Sequence, residues 1–355
     1  MKKKTKETKI QFDVKSFICK ASKFVVFVVL FALIFNYTNY VLRDKSKTEA
    51  IALSLDKPDG TYDVILVGPS HMQYGIQPAQ LFGKYGIASC NMGSTAQSIP
   101  ASYYVTKEMI ERHDPELVVL DLFCVFYPGA NFSSTRFHQA IDSFPLSMNK
   151  IQAIKDLAEK EDRAEYYIPY LLYHGRWKDL QRYDYKAFAE FNETYQIREG
   201  TQVFTTPFTP VDESLTTPLP EMSEEYLEKI VDLCKETDTE LLLTVIPYRA
   251  DVDNNNTSAE IQQRMYNRIN ALAHKWDVDY VNGLHYLSDM NFNFITDMLE
   301  YSHVNASGSE KVTDFYGEYI KKNYVVPDRR DYDEYSDWYN DYAEYCDELK
   351  RITGK

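Results

Sequence analysis

Gly68-Pro69-Ser70-His71 and Glu300-Tyr301-Ser302-His303 lie about 230 residues apart and hold complementary chemistry. A neutral serine hydroxyl is a weak nucleophile until an adjacent base takes its proton. His303 can be that base. Glu300, three residues earlier, can hold the imidazole Nδ1–H and leave Nε2 facing Ser70. Such a set performs ester hydrolysis or acyl transfer through an acyl-serine. An oxyanion needs at least two donors. The backbone N–H groups of Ser70 and Gly93 are expected to serve, and Asn91 either adds a side-chain donor or caps its own turn. His71 is a rival base, but adjacent side chains usually diverge, so it is expected to orient substrate or fill space. Asp297 is a rival to Glu300. His138, His174 and Arg176 could meet an anionic or sugar substrate or serve local structure. Asn305 is a further substrate-binding candidate, and Asn305-Ala306-Ser307-Gly308 turns the chain into its last body helix.

Positioning these groups requires a sheet. Tyr62–Val67 is an apolar, β-branched run closed by Gly68, the first expected strand. Ala88–Cys90 closes a weak second one. Leu117–Phe123 is a near-continuous apolar run, the mark of a parallel strand covered on both faces. Leu241–Ile246 and a short Val278–Val281 follow. Helices are expected at Ile99–His113, Asn149–Glu161, Glu224–Glu236 with Ser223 as cap, and after a Thr257/Glu260 capping box. The final body helix puts Val312, Phe315, Tyr316, Tyr319 and Ile320 on one face. The order predicts an α/β fold: a three-layer α/β/α sandwich around a mostly parallel sheet of about five strands. Residues 125–221 interrupt it and exceed an ordinary crossover. They are expected to form a large cap insertion over the carboxyl edge of the sheet, where open α/β folds bind ligands.

The chain's 355 residues are 44% hydrophobic and 26% charged, a globular composition. Its net charge is −14 and uneven. Residues 1–23 carry eight lysines against Glu7 and Asp13, which leaves about −20 on the rest. An acidic body is a poor partner for nucleic acid. Phe24–Leu42 is uncharged and opens FVVFVVLFALIF. At about 1.5 Å per residue, 19 residues nearly span a bilayer's hydrocarbon layer. The flanking lysines place residues 1–23 in the cytoplasm and the C-terminal domain outside the cell membrane, in a single-pass topology. A cleaved signal peptide is the rival reading, but no clear small-x-small site follows. Residues 43–60 read as a polar linker, 61–325 as the catalytic body, and 326–355 as an acidic, tyrosine-rich tail that is helical. Cys19, Cys90, Cys124, Cys234 and Cys346 form no CxxC pair, and no GxGxxG loop follows the first strand. Neither a metal nor a cofactor is expected.

Val64-Ile-Leu-Val-Gly-Pro-Ser-His71, Asn91-Met-Gly-Ser-Thr-Ala-Gln97 and Glu300-Tyr-Ser-His-Val-Asn305 together resemble the SGNH (GDSL-like) hydrolase superfamily, whose fold is flavodoxin-like. The likeness is greatest to membrane-anchored members such as the DltD and alginate O-acetylation groups. The resemblance implies Ser70 as nucleophile, His303 as base, Glu300 as the acid and Gly93 as an oxyanion donor. It implies acylation or deacylation of a cell-surface polysaccharide or related envelope polymer, beside a membrane-bound O-acyltransferase. Three positions depart from the pattern. Gly-Pro-Ser replaces Gly-Asp-Ser, Glu300 replaces aspartate, and Asp121-Leu-Phe-Cys124 lacks the asparagine of the third block. A non-catalytic envelope protein of the same fold, binding a glycan or an acyltransferase, is the alternative expectation.

Overall fold

The computed structural model describes residues 14–43, 49–127, 134–185, 194–203, 208–250 and 257–354. In chain order the elements are α1 (Val14–Leu42), α2 (Glu49–Asp56), β1 (Val64–Val67), α3 (Ser70–Gly75), α4 (Pro78–Tyr85), β2 (Ser89–Asn91), α5 (Ile99–His113) and β3 (Leu117–Asp121). Then come α6 (Ser134–Ile141), α7 (Met148–Leu157), α8 (Arg163–Tyr167), α9 (Tyr170–Tyr173), α10 (Glu221–Glu236), β4 (Glu240–Val245), α11 (Thr257–Trp276), β5 (Asp279–Asn282), α12 (Ala306–Asn323) and α13 (Trp338–Thr353).

The five strands form one wholly parallel sheet in the order β2-β1-β3-β4-β5. Both side-chain parities of its central strands are buried, as continuous apolar runs require. Ile65, Val67, Val118, Leu120 and Leu243 pack with α5, α10 and α11. Val64, Leu66, Leu117, Val119 and Leu242 pack with Met72, Leu81, Val312, Tyr316 and Ile320 of α3, α4 and α12. Three layers result. The chain leaves β1 toward β2 on one side, then crosses to β3 on the other. The switch point therefore lies between the carboxyl ends of β1 and β3, where such sheets open a crevice.

Gly68 makes that edge possible. Its φ is +149°, and a Cβ added there would lie 2.9 Å from the Cβ of Asp121. The N–H of Gly68 donates to Gln97 Oε1 at 3.2 Å, and its carbonyl accepts from Ser94 at 3.1 Å. The turn into α3 is thus held from both sides.

Several expected boundaries shift. α10 starts at Glu221, directly after Pro220, and not behind Ser223. Ser223 lies inside the helix, and its hydroxyl donates to the Tyr127 carbonyl at 3.1 Å. The residues before Thr257 lie outside those described, so its capping box does too. The linker is partly structured: α2 buries Ile51, Leu53 and Leu55. The tail is integral to the body. α13 packs on α4 and α12, with Trp338 against Phe82 and Tyr345 hydroxyl on Gln80 Oε1. Arg329 grips Asp63, just before β1, with two bonds of 2.6 and 2.9 Å.

Described parts of 125–221 go to different places. α6 and α7 pack on α5 in the body's flank. Residues 168–185 cluster with α1 in a small unit separate from the main one. Residues 194–203 run beside α3 and the start of α4, where Gln73 Nε2 donates to Gln196 Oε1 at 2.7 Å and the Thr194 carbonyl accepts from the Ala79 N–H at 2.8 Å.

In the small unit, α1 is long and apolar enough over Phe17–Leu42 to cross a membrane, and none of its most apolar window is buried by protein. At about 1.5 Å per residue its 26 residues reach about 39 Å.

Gly68→Ala is expected to cost about 2–4 kcal/mol, because the new Cβ meets both a positive φ and the β3 backbone. A urea midpoint unchanged from wild type would contradict this account of the edge.

Candidate active site

Ser70 is the first residue of α3, set there by β1, Gly68 and the φ-locked Pro69. Its side chain stands over the switch point. His303 arrives from a loop that the chain braces heavily. Met298 and Val304 form an isolated antiparallel bridge. The Leu299 N–H donates to the His303 carbonyl at 2.9 Å, and the Asn305 N–H to the Asp297 carbonyl at 3.0 Å. The Arg249 N–H also holds the Tyr301 carbonyl at 3.2 Å. That bracing delivers His303 Nε2 to 2.7 Å from Ser70 Oγ. On the other side of the ring, Nδ1 is in direct contact with Glu300 Oε1.

Glu300 is itself held. The Ser302 N–H donates to Oε2 at 2.9 Å and the Ser302 hydroxyl to Oε1 at 3.0 Å. Partial burial opposes ionisation of this carboxyl. The Ser302 N–H and His303 overcome that, and its pKa lies below the ordinary value. An anionic Glu300 fixes the His303 tautomer with the proton on Nδ1, so Nε2 can accept from serine.

The rival acid is placed elsewhere. Asp297 is fully buried, with Oδ2 accepting from Lys311 Nζ and the Asn293 N–H, both at 2.7 Å. Its Oδ1 accepts from Thr296 and Ser307 hydroxyls, each at 3.0 Å. It buttresses the loop that carries His303. Asn305 is likewise structural, which corrects its expectation as a substrate contact. Its Oδ1 caps α12 through the Gly308 N–H at 3.1 Å. Its Nδ2 donates to the Gly200 and Thr296 carbonyls at 2.9 and 2.8 Å.

His71 diverges from Ser70 into the core and is 2% exposed. It stacks on Phe123 with ring centres 3.5 Å apart. Burial, and then the neighbouring His303, push its pKa well below the ordinary value. A neutral, enclosed imidazole neither takes the serine proton nor reaches a substrate.

The oxyanion expectations change most. The Gly93 N–H donates to Asn91 Oδ1 at 3.0 Å. Asn91 Nδ2 donates to the Met72 and Ile76 carbonyls, both at 2.8 Å. Asn91 thus ties β2 to α3, and neither residue presents a spare donor toward Ser70. The Ser70 N–H, at the first position of α3, meets no acceptor among the described residues.

The remaining candidates lie in other surroundings. His138 is 1% exposed, bonded to Asp142 at 2.7 Å and stacked on Tyr166, within the flank of the body. His174 and Arg176 belong to the α1 unit. His174 Nδ1 meets the Leu171 carbonyl at 2.8 Å, and Arg176 holds the Leu42 carbonyl at 2.7 Å. These are local structural roles.

Other neighbours went unnoticed in the sequence. Tyr74, one turn after Ser70, sets its ring edge-on to His303 with centres 5.4 Å apart. The i, i+4 spacing could have flagged it. The Arg198 guanidinium lies 4.2 Å over the Tyr74 ring and donates to its hydroxyl. No pattern in the sequence announces that pairing. Asp121, beneath Gly68, is fully buried. Burial raises its pKa to about 7, against the opposing pull of the Ile246, Phe123 and Leu122 N–H groups. Among the described residues no group of acids, cysteines and histidines is arranged to hold a metal.

No protein-family model matches the chain, and no curated protein matches it. Solved structures similar to it include an acylhydrolase candidate from Bacteroides fragilis NCTC 9343, at 14% identity and a TM-score of 0.39 over 79% of this chain and 96% of that one. A GDSL-like lipase from Bacteroides thetaiotaomicron VPI-5482 is 14% identical with a TM-score of 0.38, over 81% and 98%. The acetyl xylan esterase AlAXEase gives 14% and 0.38, over 72% and 98%. At that identity and score the likeness is distant and carries no inference about the reaction.

Two outcomes check the electrostatics. Glu300→Gln is expected to lower kcat on an activated ester roughly 10²–10⁴-fold with little change in melting temperature. Asp121→Asn should flatten the pH dependence of stability. In the wild type the unfolded carboxyl ionises near pH 4, while the folded one stays neutral to about pH 7. Stability is therefore lost as pH rises across that window. Unfolding free energies from urea titrations at pH 5 and pH 8 should differ less in Asp121→Asn, by an amount on the order of a few kcal/mol.

Proposed function

We propose that this chain is a serine esterase or O-acyltransferase, tethered to the membrane by α1, with its catalytic body outside the cell. The carrying observation is the 2.7 Å contact of Ser70 Oγ with His303 Nε2, with Glu300 on the opposite ring nitrogen. In this reading Ser70 Oγ attacks an ester carbonyl as His303 Nε2 takes its proton. Glu300 stabilises the imidazolium that forms. The Ser70 N–H faces the developing oxyanion, and a second donor comes from the substrate or from a closing movement. His303 returns its proton to the leaving alkoxide. Water or a sugar hydroxyl, deprotonated by the same Nε2, then attacks the acyl carbon, the acyl–Oγ bond breaks, and His303 returns the proton to Ser70 Oγ.

The substrate we favour is an acyl ester of a cell-surface polysaccharide or related envelope polymer. A tether raises the effective concentration of a polymer held at the same membrane. It also suits collaboration with a membrane-bound O-acyltransferase. The lysines before the span support a cytoplasmic N-terminus. One observation favours a second reading, a non-catalytic glycan- or acyltransferase-binding protein: the Gly93 and Asn91 donors are both engaged.

Purified full-length protein is expected to hydrolyse p-nitrophenyl acetate and to be labelled at Ser70 by a fluorophosphonate. Ser70→Ala should remove the label and lower turnover roughly 10³-fold or more. A folded wild type that neither turns over nor labels would leave only the binding reading.

A further inference from the structure

The α1 unit contains more than a span. The segment Ile168–Tyr185 folds onto the C-terminal end of α1. The Tyr170 ring sits 5.7 Å from that of Phe35. Arg176 Nη1 donates to the Leu42 carbonyl at 2.7 Å, filling one of the acceptors a helix end leaves open. Arg176 Nη2 binds Asp184 Oδ1 at 2.8 Å, and the Gln181 N–H binds Asp184 Oδ2 at 2.7 Å. The Asp184 carboxylate is fully buried. A buried ion pair therefore fixes this bracket to the helix terminus.

The bracket is apolar on its outside. Ile168, Leu171, Leu172, Tyr185 and above all Trp177, at 65%, are exposed. Lys178 lies over the Trp177 ring at 5.4 Å, and Arg182 is exposed nearby in sequence. With Arg176 committed to Asp184, the remaining charges are Lys178 and Arg182 against Asp179. A locally cationic stretch in a chain of net charge −14 suits lipid headgroups. Tryptophan and tyrosine among basic residues is also the composition of the bilayer interface. Position names the occupant. A bilayer covering the bare sides of α1 would end near Leu42, and the bracket is bonded to Leu42.

We propose that residues 168–185 are a membrane-docking foot, lying in the headgroup–acyl boundary of the leaflet from which α1 emerges. This rests on reading α1 as a retained membrane span, and goes beyond the span by giving the protein a second attachment to lipid.

The test uses full-length protein in vesicles of phosphatidylcholine and phosphatidylglycerol with brominated acyl chains. Emission of Trp177 is the difference between wild type and Trp177→Phe, since Trp276 and Trp338 remain in both. Trp177 emission should fall at least twofold with bromine at the 6,7 positions, and less at 11,12. Leu171→Asp with Leu172→Asp should abolish that quenching while the protein stays resistant to carbonate extraction. Unquenched Trp177 in carbonate-resistant wild type would overturn the foot and leave the span standing. A blue-shifted but bromine-insensitive Trp177 would overturn it in favour of a protein partner or a second copy. Release of the wild type by carbonate would remove the span and the foot together.

Discussion

The close approach of β1 to β3 at their carboxyl ends governs the rest of the site. The two strands run side by side in register from Val64 opposite Leu117 to Val67 opposite Leu120. One residue later the chain must bend over Asp121 without a side chain of its own, and Gly68 does so. The turn sets the direction in which the Ser70 side chain leaves the backbone, and His303 Nε2 meets its hydroxyl at 2.7 Å. Ser70 needs no side-chain support on its own element, because its direction is already set by the turn. Gln97 and Ser94 hold Gly68, the residue that makes the turn, from both sides.

His303 is positioned by a different principle. It comes from a loop, and loops hold geometry only where their polar groups are satisfied. Asp297, Asn305 and Ser302 supply that satisfaction from within a dozen residues. The loop is therefore a hydrogen-bonded structure carried on the N-terminus of α12 and tied outward to Arg249 and Gly200. Residues that seemed to compete for a catalytic role, Asp297 above all, are the ones that make His303 rigid. The acid that meets the imidazole is the more exposed of the two, and its ionisation is secured by a neighbouring N–H and the ring itself.

Much of this was legible beforehand for a physical reason. Periodicity reports burial, and burial on both faces is what a central parallel strand has. Hence β3 and β4 fall within two residues of the Leu117–Phe123 and Leu241–Ile246 runs, while helical spacing places α5 at Ile99–His113. The Ser70, His303 and Glu300 grouping followed from residue type plus position at the sheet edge, and the geometry brings those three side chains together. What the pattern could not supply was competition. Asn91, Gly93 and Asn305 each carry the right atoms for binding, but nearby carbonyls and amides claim those atoms first. A sequence states a group's capacity and not which neighbour takes it. The reading of 125–221 as one cap met a similar limit. Its described pieces go to the flank of the body, to α1 and to the side of α3, the last held by polar contacts of Gln196 and Arg198 that no periodicity reports.

The last helix has an effect on how the molecule comes into being. Trp338 and Tyr345 of α13 close over Phe82 and Gln80, and Tyr342 occupies the space that a side chain at Gly83 would need. α4, early in the body, is therefore roofed by α13, from far along the chain. Until α13 has been made, that apolar seam has no cover. The arrival of α13 is the event that seals it.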